Sequence, residues 1–281
     1  MTVACSIQLS GTGFANTNNV KVQGSGTTCS SGTATAAGYT GMTLDKQVTN
    51  SGNFDVYALG TASAGVAVNN LVLCFAYTSN YAFQISSAFQ MSGPLVGNED
   101  CTLTETCSLQ LSGVGLADTN KLRIIASSDN CGGAAVVGVT SITGLSGTTS
   151  VTTGGTSNVY AVASSATSTG VHGSGYKLCW AHNPSGNADY KFEVGTFTLN
   201  GPLAEDFTCT MTAACSIQLT GTGLASTNKV KVQGSDTTCH GERSHVQVLF
   251  KLAATDTADL TSLHFNWGST FLGLVQVVLL H

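Results

Sequence analysis

The chain has 281 residues, a net charge of −5 and only 9% charged side chains, against about a quarter in an ordinary globular protein. Its Lys and Arg residues are scattered singly, which excludes the clustered positive charge that a nucleic-acid surface needs. The 42% of hydrophobic residues and the 33 glycines, among many Ser and Thr residues, indicate a folded, turn-rich β protein rather than a disordered one.

The first predicted elements are two short strands separated by a glycine turn. Cys5–Leu9 alternates apolar and polar side chains, and Asn19–Val22 forms the second strand. Gly11–Gly13 resembles a fragment of a phosphate-binding loop. A strand rather than a helix follows it, and no Lys-Ser/Thr accompanies it, so we predict a turn.

This opening recurs twice along the chain. Cys215 to Cys239 is identical to Cys5 to Cys29 at 20 of 25 positions, and a more divergent copy begins at Cys107. Cys107 follows Cys5 by 102 residues and Cys215 follows Cys107 by 108, a period that suits small domains. The predicted units are a β-sandwich repeat at 1–97, a second at 98–205, the start of a third at 206–239 and a non-repeat tail at 240–281.

Later strands follow the same alternation in both long repeats. The first repeat has Asp55–Leu59 and Leu71–Phe75, and the second has Asn158–Val162, Tyr176–Trp180 and Tyr190–Leu199. No stretch has a convincing period of 3.6 residues. Short strands split by Gly/Ser/Thr turns favour an all-β fold of tandem antiparallel sandwiches.

The repeats meet at Gly93-Pro94-Leu95 and Gly201-Pro202-Leu203, which hold two of the three prolines. Because proline fixes φ, we expect a semi-rigid joint. Acidic residues follow each joint, at Glu99 and Asp100 and at Glu205 and Asp206. Two adjacent acids supply too few oxygen ligands for Ca²⁺, so we expect them to be solvated.

The tail from His240 to His281 matches neither of the other repeats. The spacing of His240 and His245 differs from the i, i+4 pair of the helical zinc motif. Phe271 to Leu280 is apolar but about half the length of a membrane span. We interpret the tail as a gene-model artefact, whose strand candidates Val246–Phe250 and Leu274–Val278 should not complete a packed sandwich with the third repeat. The alternative is a genuine capping segment.

Ten cysteines fall at four positions of the repeat, and none has zinc-binding spacing. Fixed spacing on this background favours disulfides in an oxidising compartment. Cys131 lies in a loop and Cys179 alternates away from the core, so we pair third with fourth and first with second positions: Cys29–Cys74, Cys131–Cys179, Cys101–Cys107 and Cys209–Cys215. Cys5 and Cys239 are then unpaired. The rival scheme joins second to fourth, as Cys5–Cys74 and Cys107–Cys179.

Two motifs carry a family resemblance: the Gly-x-Gly-Leu-x-x-Thr-Asn turn at 113–120 and the Tyr-Lys-Leu-Cys-Trp strand at Tyr176–Trp180. Residues 1–239 resemble immunoglobulin-like sandwich repeats, and look closest to cysteine-bearing repeats in large predicted cell-surface proteins of single-celled eukaryotes. The resemblance implies a surface or secreted location and no known activity. An immunoglobulin tyrosine stands two residues before the strand cysteine, whereas Tyr176 stands three before Cys179, so Tyr176, Leu178 and Trp180 should share the core face.

The prediction of function depends mainly on the lack of a catalytic residue set that recurs from one repeat to the next. No Ser/His/acid set or carboxylate pair repeats, so we expect no catalytic, cofactor-binding or metal residues and no enzyme. We expect a structural or adhesive extracellular fragment of a longer array, its signal peptide lost with the missing N-terminus, with an unknown protein or glycan partner, no nucleic acid and no membrane span. The alternatives are a ligand- or carbohydrate-binding receptor ectodomain, for which Tyr77 and Tyr81 are the one hint, and the spacer of a secreted enzyme.

Overall fold

The computed structural model describes residues 2–49, 54–136, 138–139, 146–153, 155–163, 173–210, 212–233, 248–251, 254–255, 259–260 and 276–280. These residues form strands and turns, with a single 3₁₀ turn at Asn187–Asp189 and no α-helix among them. The prediction of an all-β chain with antiparallel sheets and disulfides is confirmed. Alternation explains this outcome, because a period of two suits one buried and one solvated sheet face.

Two sheets make up the first repeat, and one chain segment links them. Its strands are β1 (Ala4–Ser10), β2 (Asn19–Gln23), β3 (Thr40–Met42), β4 (Asp45–Gln47), β5 (Phe54–Ala64), β6 (Val68–Ala76) and β7 (Phe83–Met91). They are ordered β1-β5-β3 in one sheet and β4-β2-β6-β7 in the other. Between β3 and β4, the Thr43 amide donates to Leu59 O and Leu44 O accepts from the Val22 amide, each at 2.8 Å. The segment therefore crosses from one sheet to the other.

A shared hydrophobic core holds these two sheets together. Tyr57 and Leu59 of β5 pack in one cluster with Val20 of β2 and with Leu71 and Leu73 of β6. Each such side chain contributes roughly 1.5–3 kcal/mol when it is fully buried. The strand pairing and this cluster both depend on alternation, because residues two apart lie on the same face of a strand.

The second repeat follows the same plan, with β10 (Cys107–Leu116), β11 (Asn120–Ala126), β12 (Thr148–Thr153), β13 (Gly155–Ala163), β14 (Gly173–His182) and β15 (Phe192–Pro202). They are hydrogen-bonded in the order β15-β14-β11-β12-β13-β10, since β12 pairs with both β11 and β13. Two short strands precede them, β8 (Gly93–Pro94) and β9 (Glu99–Thr102). β9 joins β15 in parallel, whereas the other described pairs are antiparallel.

The predicted face of β14 packs in the core of the second repeat. Tyr176, Leu178 and Trp180 lie in the main cluster, and Trp180 meets Phe192 edge-on with ring centroids 6.3 Å apart. Cys179 lies in a separate cluster on the opposite face of β14. The expectation that Cys179 alternates away from the core is therefore confirmed.

The third repeat departs from expectation. Its strands and those of the tail are β16 (Gly221–Thr222), β17 (Lys229–Gln233), β18 (Val248–Lys251), β19 (Ala254–Thr255), β20 (Asp259–Leu260) and β21 (Gln276–Leu280). β17 lies between β18 and β21, and Val230 is fully buried. Two strands of the tail, β18 and β21, thus pair with the two edges of β17. Cys215–Leu219 forms no strand, although Ile217 and Leu219 are buried.

Candidate functional site: outer-face clusters and repeat joints

Among the described residues there are four disulfides, with Cα–Cα separations of 5.5–5.7 Å: Cys29–Cys74, Cys101–Cys107, Cys131–Cys179 and Cys209–Cys215. The sequence and the structure give the same four pairs. The rival scheme is excluded, because Cys107 bonds to Cys101 rather than Cys179. Cys5 is a half-buried free thiol, and burial raises its pKa. Cys239 lies outside the described residues.

In the second repeat, the Cys131–Cys179 disulfide fixes a loop over the face of β14 that points away from the main core. Cys131 and Val136 of this loop pack against a small apolar cluster that consists of Ile125, Cys179, Ala181 and Tyr190. We call this the outer-face cluster. The alternation of β14 produces it, because a cysteine between two core residues must face outward.

Arg123 completes the outer-face cluster of the second repeat. Its guanidinium carbon lies 4.3 Å from the centroid of the Tyr190 ring. Its Nε donates to Thr148 Oγ1 and its Nη1 to Val136 O, both at 3.0 Å. The guanidinium therefore ties the loop to β12 while it stacks on the ring, which a planar multi-donor group does well.

The first repeat has the same arrangement around Lys21. Its Nζ lies 4.5 Å from the Tyr81 ring centroid and 3.5 Å from Asp45 Oδ2. It also donates to Ser31 O and Thr33 O of the disulfide-bonded loop, each at 3.4 Å. Tyr81 donates its hydroxyl proton to Asp45, and its pKa is raised, first by burial and then by this bond. The sequence showed Lys21 and Arg123 only as isolated charges, and their contacts with a tyrosine ring and the disulfide-bonded loop were not predicted. The available signal was that each stands the same distance before the cysteine of that loop.

A second repeated feature is a buried polar group between the sheets. In the first repeat, Asn18 Nδ2 and the Tyr57 hydroxyl both donate to Asp55 Oδ2, at 2.6 and 2.8 Å. Burial, followed by the contact with Asp55, raises the pKa of Tyr57. In the second repeat Asn158 takes the place of Asp55, and its amide donates to the Tyr160 hydroxyl at 3.2 Å. Asp55 and Tyr57 are fully buried, so they reach no substrate and hold the packing of the two sheets.

The joints between repeats are short antiparallel ladders. Pro94 pairs with Gly113 and Gly93 with Val114, and the Leu95 amide donates to Ser112 O at 2.8 Å. A Cβ on Gly113 would clash with Gly93 O, so this approach requires glycine.

The next joint has the same register. Pro202 pairs with Gly221 and Gly201 with Thr222, and Leu203 N donates to Thr220 O at 2.7 Å. The sequence predicted the glycine turns but not their pairing with the preceding Gly-Pro segment. The signal for this pairing was that each Gly-Pro segment is followed by a glycine turn in the next repeat.

The acidic residues at the joints make hydrogen bonds. Asp100 Oδ2 accepts from Asn200 Nδ2 at 2.7 Å, and Glu205 accepts from the Thr220 hydroxyl. Burial, and secondly Asp100, raises the pKa of Glu99. Within the described residues, no three His, Cys, Asp or Glu side chains are grouped to hold a metal ion. The histidines at 240 and 245 lie outside those residues.

The two tyrosines predicted as a hint of ligand binding have different environments. Tyr77 is 61% exposed, whereas Tyr81 is 6% exposed and belongs to the outer-face cluster of the first repeat. Phe83, at the other end of the connection between β6 and β7, is also exposed. An exposed aromatic pair therefore flanks this connection, but it is Tyr77 and Phe83 rather than Tyr77 and Tyr81.

No protein-family model and no curated protein matches the chain. Among the described residues, no helix has the length and apolar character that crossing a membrane requires. The structural class is therefore defined by the chain itself: an all-β protein with antiparallel sheets and four disulfides.

Proposed function

We propose that the chain is a structural or adhesive repeat protein of the cell surface or extracellular space, without catalytic activity. It is an array of immunoglobulin-like sandwiches. The observation that carries this proposal is the joint, since Gly-Pro of one repeat pairs with Gly-x-Gly of the next at both junctions, in the same register. A joint made of backbone hydrogen bonds holds successive repeats in a defined orientation, which suits an extended scaffold.

Three features support the immunoglobulin-like interpretation. In the first repeat, two sheets share a core and one segment crosses from one sheet to the other. In the second repeat, Trp180, on the same strand as the fourth cysteine, is buried in the core. The disulfide differs, because it lies on the outer face of a sheet rather than between the sheets. We therefore propose a sandwich of this general type with its cystine moved outward.

An oxidising location is supported by the four disulfides. The test is expression of the full chain in a secretory compartment and in a reducing cytosol, with thiols counted by alkylation and mass spectrometry. We expect eight oxidised cysteines and soluble protein in the first case and misfolded protein in the second. Equal solubility with all cysteines reduced would contradict the proposal.

The scaffold role is tested at the joint. Gly113→Val places a side chain where Gly93 O stands, so it should separate the ladder between repeats without entering either core. Small-angle X-ray scattering of the full chain should show a broader distribution of dimensions than for Gly24→Ala, whose Cβ meets nothing closer than 3.8 Å. An unchanged distribution would mean that the joint does not orient the repeats.

A ligand-binding ectodomain is a second candidate, favoured by the exposed Tyr77 and Phe83. Exposed aromatic rings bind sugar faces and apolar protein surfaces. Tyr77→Ser with Phe83→Ser should abolish binding to a glycan or cell-surface array if this function is real. The same double variant should leave binding unchanged if the chain acts through its joints alone.

A further inference from the structure

The segment that enters the second repeat makes two connections to it. Gly93–Pro94 pairs with the turn of β10, and the following Glu99–Thr102 pairs with β15 in parallel, Glu99 opposite Phe197 and Cys101 opposite Leu199. Cys101 then bonds to Cys107. One extended stretch of ten residues, 93–102, thus covers the turn, completes a sheet edge and closes a disulfide loop.

In the first repeat, the described residues leave the equivalent edge without a pairing strand. Phe89 and Met91 of β7 correspond to Phe197 and Leu199, which are opposite β9 in the second repeat. Within the described residues, β7 is the last strand of its sheet and pairs with β6 alone. Phe89 is half-buried, whereas Phe197 is fully buried, so an added strand would find apolar surface to cover.

Within the described residues, no backbone segment equivalent to Gly93–Pro94 pairs with the glycine turn of the first repeat. In the second repeat, a Cβ on Gly115 would clash with the side chains of Gln90 and Ser92, which precede the entering segment; on Gly13 it would meet nothing within 4 Å. At Gly11 the nearest atom would be the tip of the Phe14 ring, at 2.9 Å. The chain's own Phe14 thus lies where Gly93–Pro94 lies at Gly113.

The loop before Cys5 already has the backbone of a disulfide-closed loop. Thr2, Thr104 and Thr212 are equivalent, and their φ angles are 67°, 74° and 67°. A β-branched residue rarely adopts this left-handed region. In the second and third repeats the loop is closed by a disulfide; in the first it has the same conformation while Cys5 is free.

We infer that this edge of the first repeat is a docking site for a partner segment with the chemistry of residues 93–102: Gly-Pro-Leu in extended form, with a cysteine seven residues after the proline. The inference rests on the proposed function. The segment pairs with Gly11 and Thr12, then runs parallel to Phe89–Ser92 and brings its cysteine to Cys5. The Cys5 thiolate attacks a disulfide on that cysteine, a new S–S bond forms, and the sulfur previously bound there leaves as a thiol.

The test uses the full chain with Cys239→Ser, so that Cys5 is its single free thiol. The probe is a synthetic peptide of residues 91–104 whose cysteine carries a 2-thiopyridyl disulfide, and the released thiopyridone is counted. We expect capture about tenfold faster than with a scrambled peptide, because docking raises the effective concentration of the disulfide. Gly11→Ala should reduce the rate to that of the scrambled peptide, since a Cβ at the equivalent Gly113 would clash with the carbonyl oxygen of the pairing Gly93.

Gly24→Ala is the matched control and should capture the peptide at the parent rate. Equal rates for the two peptides, or no effect of Gly11→Ala, would overturn the inference. A Cys5–Cys5 dimer of the chain that forms faster than peptide capture would also overturn it, since the edge would then prefer a second copy. The proposed function is tested independently of this inference, because the X-ray scattering experiment on Gly113→Val does not involve Cys5.

Discussion

The first and second repeats are two versions of one plan at different degrees of closure. The strands correspond except that β12 takes the place of β3 and β4. Leu109, Leu111 and Phe197 are fully buried, whereas Ile7, Leu9 and Phe89 are half-buried. The difference follows from β9, which covers the edge of β15 and anchors Cys101 in the second repeat. The comparison teaches that the segment before the first strand is part of each repeat's core and not a passive linker.

Removal of disulfides should give the largest effects. Cys131→Ala with Cys179→Ala opens a loop of 48 residues, and Cys101→Ala with Cys107→Ala opens one of 6. Chain entropy predicts losses of about 4 and about 2 kcal/mol in the free energy of unfolding. Urea unfolding followed by Trp180 fluorescence, in a Trp267→Phe background, measures both. Equal losses would show that the short bridge acts through β9 rather than through the entropy of its loop.

Removal of the buried hydrogen-bond acceptor Asp55 should have the next largest effect on stability. Asp55→Ala leaves Asn18 Nδ2 and the Tyr57 hydroxyl without their acceptor and should destabilise the first repeat by about 2–5 kcal/mol. Asp55→Asn copies the second repeat and should lose much less, because an amide oxygen can still accept. Hydrogen exchange measured by mass spectrometry on β5 peptides reports the first repeat alone. Loss in Asp55→Asn equal to that in Asp55→Ala would show that the charge itself is required.

Exchange of the two cations should have a smaller effect. Arg123→Lys loses at least one of two hydrogen bonds and the planar stacking on Tyr190, about 1–2 kcal/mol. Lys21→Arg keeps a cation over Tyr81 and should be close to neutral. The measurement is the urea midpoint of each variant, with protection of the loop at 127–136 as the local readout. A larger loss in Lys21→Arg than in Arg123→Lys would reverse the comparison.

The smallest effect is a pH dependence confined to the second repeat. The pKa of Glu99 is raised, mainly by burial, so the folded chain holds this proton more tightly than the unfolded chain. Its contribution to stability is present below the ordinary pKa of glutamate and is lost as pH rises through the raised pKa. Glu99→Gln should remove that slope in the urea midpoint.

The pKa of Asp189 is shifted in the opposite direction, so Asp189 provides a control for the pH dependence assigned to Glu99. Hydrogen bonds from the Ser185 amide and hydroxyl and from the Gly186 amide lower the pKa of Asp189. Stability linked to it is present above the ordinary aspartate pKa and is lost as pH falls through the lowered one. Asp189→Asn should therefore flatten the acid side of the profile and leave the Glu99 slope in place.

Local pattern made much of this fold predictable. The alternation around Cys179 placed Leu178 and Trp180 in the core and the cysteine outside it, which selected the disulfide partners. The parallel β9–β15 pair could not be found this way. It joins residues about 100 apart in sequence, and its register is fixed by the Gly-Pro joint rather than by hydrophobic period.

The outer-face clusters were missed for a similar reason. Arg123 is on β11 and Tyr190 lies in the connection between β14 and β15, so the two meet only because β14 pairs with β11 and brings that connection beside it. The third repeat shows the opposite failure: Cys215–Leu219 has the strand pattern of Cys5–Leu9 but forms no strand. Alternation describes which face a residue would occupy, and a partner strand is still needed to form the ladder.

The parallel pairing of β9 with β15 has a mechanical consequence. These are the strands through which the chain enters and leaves the second repeat, and they run in the same direction. A pulling force applied to the two ends of the second repeat therefore acts along this ladder in shear, so that its hydrogen bonds share the load instead of opening one after another. Forced unfolding is governed by the unfolding barrier rather than by equilibrium stability, so a short ladder in this position sets the force at which the repeat yields. Cys101 lies within this ladder, and its bridge to Cys107 at the start of β10 limits how much chain is released.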